Sequence, residues 1–102
     1  MALLTWQIRE YTVKPGEMQQ WVAEWRSAIV PLRQRHGFGV LGAWMVDGTD
    51  QFVWIISYGG TKTWQEAEAD YYASPDRKAL DPDPARHLAQ TGARLMTSVY
   101  EP

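Results

Sequence analysis

The chain has no cysteine, which removes disulfides, thiolate metal sites and cysteine nucleophiles together. Stability in a chain of 102 residues must then come from packing or from a partner subunit. An excess of charge of one sign is also missing. Ten Lys and Arg against twelve Asp and Glu leave a formal net charge of -2, and the basic residues are scattered, so nothing asks for nucleic acid. The nearest approach to a cluster, Arg26, Arg33 and Arg35, is offset by Glu17 and Glu24 on the same segment and reads as a solvated helix face. Long apolar runs are absent too. Met1 to Glu10 has neither a basic n-region nor an apolar stretch long enough for a leader or a membrane span, and the expectation is a soluble, cytoplasmic protein.

Reactive motifs are equally sparse. There are two histidines, His36 and His87, and without a His-x-x-x-His pair they offer no zinc spacing. None of Ser27, Ser57, Ser74 and Ser98 sits in a G-x-S-x-G elbow, so serine hydrolase chemistry has no support. Gly37 to Gly42 matches G-x-G-x-x-G, but a predicted helix precedes it and a strand follows, the reverse of a dinucleotide site. Gly37 is read as a helix stop, and Gly39 and Gly42 as close-packing strand positions. No cofactor or metal is expected.

What the chain has in plenty is aromatic surface: six Trp, five Tyr and two Phe. A small monomer can bury only about 60 to 70% of the surface its unfolded chain exposes, so this load points to an interface or a pocket.

Periodicity organises the chain as one domain, residues 1–102. Leu3 to Val13 alternates, with Leu4, Trp6 and Ile8 on one face and Gln7, Arg9 and Tyr11 on the other, as a strand does. After the turn Lys14-Pro15-Gly16, residues Met18, Trp21, Val22, Trp25, Ala28, Ile29 and Leu32 form the stripe of one long amphipathic helix, kinked at Pro31 and stopped at Gly37. Trp21 and Trp25 are core positions on that stripe. Phe38 to Val46 and Gln51 to Tyr58 flank the hairpin signal Asp47-Gly-Thr-Asp50. Thr61 is a candidate cap for a helix over Thr63 to Ala73 bearing Trp64, Ala67 and Tyr71. Ser74-Pro75-Asp76 opens a short turn to Leu80, Ala85 to Gln90 is read as another turn, and Arg94 to Tyr100 as the last strand.

The order β-α-β-β-α-β predicts an α+β, ferredoxin-like fold: a four-stranded antiparallel sheet with both helices on one face. With Leu4, Trp6 and Ile8 taken as facing the helices, Gln7, Arg9 and Tyr11 line the bare face, joined by Trp44, Trp54 and Tyr58 of the hairpin and Arg94 of the last strand. Such a face is too apolar to stay wet, and a homodimer pairing two sheets would cover it.

Four passages carry a family resemblance over nearly the whole chain. They are Arg9 to Gly16; Trp25 to Leu32; His36-Gly-Phe38 with Leu41-Gly-Ala-Trp44; and Gln51 to Tyr58. In their order and spacing the sequence resembles the NIPSNAP family, a branch of the dimeric α+β barrel proteins. The resemblance implies a homodimer whose sheets enclose a lumen. Related barrel families include cofactor-free monooxygenases, haem-degrading enzymes and polyketide cyclases. One departure is Gln7, where the resemblance leads one to expect an acidic residue.

The candidate ligand residues are therefore Arg9, Tyr11, Trp44, Trp54, Tyr58 and Arg94, around an apolar or aromatic molecule. Each has a plain alternative: Arg9 could pair with Glu10, Glu101 or a partner subunit, and the rings could simply fill the barrel. His36 and Tyr58 are the candidate proton-transfer groups, with His36 equally suited to the end of its helix. The readings left open are a small-molecule binder, a cofactor-independent oxygenase or cyclase, and an interaction module without a pocket.

Overall fold

Strand β1 (Thr5–Val13) is the register standard of the sheet. It pairs antiparallel with β3 (Gln51–Tyr58), Thr5 opposite Tyr58 and Tyr11 opposite Phe52. On its other side it pairs antiparallel with β4 (Leu88–Met96), from Trp6 opposite Met96 to Val13 opposite Leu88. Strand β2 (Phe38–Met45) pairs antiparallel with β3, giving the order β2-β3-β1-β4. The computed structural model describes residues 4–100; Leu3 and Glu101, both named above, lie outside them.

The long helix forms as α1 (Met18–Glu24), a π-helical turn (Trp25–Ile29) and α2 (Val30–Arg35). Proline explains the π turn. Pro31 has no N–H to donate and its ring crowds the carbonyl four residues back, and a wider turn accommodates both. The expected kink is thus expressed as a change of helical pitch. His36 is the C-cap, and Gly37 leaves the helix at φ +88°, a conformation that costs a glycine little.

The hairpin turns at Gly48 (φ +75°), with the Thr49 hydroxyl donating to the Val46 carbonyl at 2.8 Å. Helix α3 (Trp64–Ala73) is capped by Thr63, not Thr61. The Thr63 hydroxyl accepts from the Glu66 N–H while the Glu66 carboxylate accepts from the Thr63 N–H, a complete capping box. Ser74 caps α4 (Pro75–Lys78) by accepting from the Arg77 N–H. The expected turn at Ala85 to Gln90 is a 3-10 turn over Pro84–His87, and β4 starts at Leu88, six residues before the Arg94 expected from alternation. Small and polar residues from Ala89 to Ala93 hide this strand, because β4 is an edge that little covers and only pairing with β1 defines it.

The principal correction concerns which face of the sheet the helices cover. Gln7, Arg9, Tyr11 and Val13 are buried beneath them, and Trp6 and Ile8 are only partly covered on the bare face. Phe52, Trp54, Ile56 and Tyr58 share the inner face of β3, while Val53 and Ile55 share the outer one with Trp44. The core that results is aromatic: Trp25 meets Phe52 and Trp54 at centroid distances of 5.2 and 5.5 Å, and Trp21 meets Phe52 and Tyr11 at 5.7 and 5.8 Å, all edge-to-face. Ile56 is fully buried on the inner face. Ile56→Ala should lower the unfolding free energy by about 2–5 kcal/mol, as deletion of a buried branched side chain does, measured by urea titration.

Candidate ligand cavity between the sheet and the helices

Inward placement of the odd β1 residues puts a guanidinium under a helix layer, and the surroundings have to supply acceptors for it. Arg9 donates through Nε to the Tyr11 hydroxyl at 2.7 Å, through Nη1 to Gln7 Oε1 at 2.7 Å and Glu68 Oε2 at 3.2 Å, and through Nη2 to the Tyr72 hydroxyl at 2.8 Å. A second guanidinium, Arg33 of α2, enters from the opposite side and is only 1% exposed. It donates to the other oxygen of Glu68 through Nη1 and to the Tyr72 hydroxyl through Nη2 at 3.3 Å. Its carbon lies 3.8 Å from the ring centre of Tyr71 and 4.7 Å from that of Phe38, so the cation rests on aromatic faces.

Of these residues Arg9, Tyr11, Arg33, Tyr71 and Tyr72 border a partly open cavity of about 120 Å³ whose lining also includes Trp21, Ile29, Trp54 and Leu88. That is of the order of the ~150 Å³ apolar cavity that accepts a benzene molecule. Its wall is chemically uneven. Trp54 Nε1, the Tyr71 hydroxyl and Arg33 Nε are buried without a hydrogen-bond partner among the described residues, although buried donors are ordinarily satisfied. Two buried guanidiniums face a single carboxylate, leaving one positive charge in excess.

Electrostatics follow from this setting. Desolvation by burial works against the Arg9 charge, and the oxygens of Tyr11, Tyr72 and Glu68 outweigh it, holding its pKa above the ordinary value. Burial pushes the Tyr11 phenol up against the opposing pull of Arg9, and burial likewise raises Tyr71.

The six ligand residues expected from sequence do not share one site. Arg9, Tyr11 and Trp54 line the cavity. Tyr58 lies on the same inner face, packed on Phe38 at 5.3 Å, outside the lining. Trp44 and Arg94 are on the bare face; Trp44 is 52% exposed, and Arg94 pairs with Glu10 at 2.5 Å. His36 stands at its helix end, Nε2 3.3 Å from Asp76 and its ring against Tyr71, away from the cavity. His87 is buried between Glu17, 2.7 Å from Nδ1, and Glu24, 3.1 Å from Nε2, where it ties α1 to the 3-10 turn. Among the described residues no group of three or more His, Asp or Glu is arranged to hold a metal ion, and no helix is long and apolar enough to cross a membrane.

Sequence reasoning missed Arg33, Glu68, Tyr71 and Tyr72 as site residues, and it placed Arg33 on a solvated face. The structure corrects this: Arg33 follows Trp25 and Ile29 at four-residue steps, so it belongs to the buried stripe. The same spacing links Trp64, Glu68 and Tyr72 on α3 and was the signal available for them.

An antiparallel sheet in the order β2-β3-β1-β4, backed on one face by helices that enclose a cationic cavity, defines a ferredoxin-like α+β domain. Sequence comparison places it further: the chain belongs to the NIPSNAP family, whose profile matches residues 6–100. Among solved structures it is similar to a NIPSNAP family protein of Agrobacterium tumefaciens (TM-score 0.83, 13% identity, covering 99% of this chain and 91% of that one). A NIPSNAP domain protein of Burkholderia xenovorans is similar too (TM-score 0.80, 14% identity, 98% and 99%). So is an antibiotic biosynthesis monooxygenase (TM-score 0.66, 19% identity, 96% and 100%). At these identities the likenesses show the fold. No curated protein matches the sequence.

The raised phenol of Tyr11 makes a pH prediction. The folded state holds this proton more tightly than the unfolded chain, so the stabilisation is present below the ordinary tyrosine pKa of about 10 and is lost as pH rises from there through the folded value. Unfolding free energy should therefore fall above about pH 10, and fall less steeply in Tyr11→Phe. At neutral pH the same variant should be less stable by about 1–3 kcal/mol, because Arg9 Nε loses its acceptor. Urea titrations from pH 7 to 11 check both.

Proposed function

We propose that this protein is a homodimeric binder of a small molecule with an apolar or aromatic body and a polar head, held in the cavity of each protomer between sheet and helices. The carrying observation is the cavity wall, in which buried donors without partners sit beside indole and aliphatic surface. Ligand pockets pair a largely apolar lining with a few placed polar groups in this way. This moves the site from a lumen between subunits to the interior of each one. The cavity also weighs against an interaction module without a pocket.

The dimer rests on the bare face. Trp6, Leu41, Ile55, Met96 and Tyr100 border one shallow groove there, with Leu41 65% exposed, and Trp44, paired with Val53 in the sheet, is exposed as well. Face-to-face packing of two such sheets would remove this surface from water. The bare face owes its apolar even-numbered stripe to that partner, and the helix face is free to carry the polar chemistry.

A second reading, a cofactor-independent oxygenase, is favoured by one feature. The surplus positive charge of Arg9 and Arg33 beside the cavity would stabilise an enolate formed from a bound substrate, in a fold shared with a protein described as an antibiotic biosynthesis monooxygenase. Turnover of an enolisable aromatic substrate without added metal or flavin would favour the enzyme over the binder.

Native mass spectrometry of gently purified protein should show twice the chain mass, with added mass on part of the population. Ile55→Asp, which buries a charge at the centre of the bare face, should shift the species to single chains. A wild-type monomer would overturn the dimer.

A further inference from the structure

Glu68 and Tyr72 stand one turn apart on α3, and both reach inward to the same two guanidiniums. Glu68 satisfies one terminal nitrogen of each arginine and no more. Of the donors on Arg33, Nε remains unpartnered although the side chain is 1% exposed, and the unpartnered Tyr71 hydroxyl belongs to the ring on which this guanidinium lies. One positive charge is left over in a space where charge is costly unless paired. Arg77 also lines the cavity and its Nε is likewise unpartnered, but its charge is matched by Asp83, which accepts from Nη2 at 3.2 Å.

We propose that the ligand is a small monocarboxylic acid whose carboxylate accepts from Arg33 Nε and neutralises the surplus charge, and that Glu68 sets this selectivity for a single negative charge. The inference rests on the cavity reading above and adds the ligand class to it. A carboxylate fits because an ionised oxygen makes a charge-assisted bond to the one nitrogen of Arg33 left without a partner, Nε, the terminal nitrogens being held by Glu68 and Tyr72. The volume of about 120 Å³ and the lining by Trp21, Ile29, Trp54 and Leu88 restrict the remainder to one ring or a short branched chain. With Glu68 in place a monoanion balances the site. Without it the site has two uncompensated positive charges and holds any anion more tightly.

Benzoate and benzamide test this, being nearly identical in shape and different in charge. Binding is followed by isothermal titration and by the Arg side-chain Nε–H and Trp indole N–H signals in 15N NMR. Benzoate should bind wild type about tenfold or more tightly than benzamide, since a hydrogen bond to a charged group contributes about 1.5–3 kcal/mol. It should move the Arg33 Nε–H signal further than benzamide does, because the neutral amide carbonyl is the weaker acceptor. In Glu68→Gln the benzoate preference should widen, and benzoate should restore much of any melting temperature the variant loses. Should that variant not fold, the wild-type Arg33 signal alone decides. Equal binding of both probes, with the Trp54 indole perturbed by each, would overturn the carboxylate assignment and leave the cavity reading standing. No perturbation of Trp54 or Arg33 by either probe would remove both.

Discussion

The carboxylate of Glu68 between two buried guanidiniums is the contact on which the arrangement of layers depends. Arg9 comes from the central strand β1, Arg33 from α2 and Glu68 from α3, so one side chain joins the sheet to both helical segments. A buried ion pair seldom adds much net stability, because desolvation consumes most of the attraction. Its effect is on specificity of arrangement. Either arginine without the carboxylate would be a buried uncompensated charge, so packings of α2 and α3 that part these groups are strongly disfavoured.

That constraint also accounts for the cavity. Two guanidiniums repel each other and cannot close onto the same space as an aliphatic pair would, and the rings around them, Tyr71 and Phe38 against Arg33 and Trp54 against Arg9, are held at cation–aromatic distances. The π-helical turn immediately before α2 belongs to the same account. It absorbs Pro31 and sets the pitch at which Arg33 leaves the helix, with Ile29 bordering the cavity one turn earlier. Polar function and core packing thus occupy one side of the sheet, and the apolar stripe of β1 is left for the other.

How much of this was legible in the residues depends on the range of the interaction. The hairpin at Gly48, the helix stop at Gly37 and the capped start of α4 follow from chemistry confined to a few neighbouring residues, and each was readable. The cap of α3 was misplaced by two residues because Thr61 and Thr63 are both plausible; only Thr63 has Glu66 at the reciprocal position. The start of β4 was missed for a longer-range reason, since its residues are defined by hydrogen bonds to β1 some eighty positions away.

The amino-acid sequence by itself determined the four strands and the order in which helical segments separate them, the split β-α-β pattern and the aromatic make-up of the core, because hydrophobic period and turn chemistry act along the chain. Which side of β1 meets the helices was decided only in three dimensions. Alternation reports that a strand has two unlike faces, and the apolar one goes inward only if the helices bring it an apolar surface. Here α2 and α3 bring Arg33, Glu68 and Tyr72, so the face carrying Gln7, Arg9 and Tyr11 is the complementary one. The candidate site is the product of that choice: Arg9, Tyr11 and Trp54 were visible in the strand pattern, and the carboxylate that joins Arg9 to Arg33 was not.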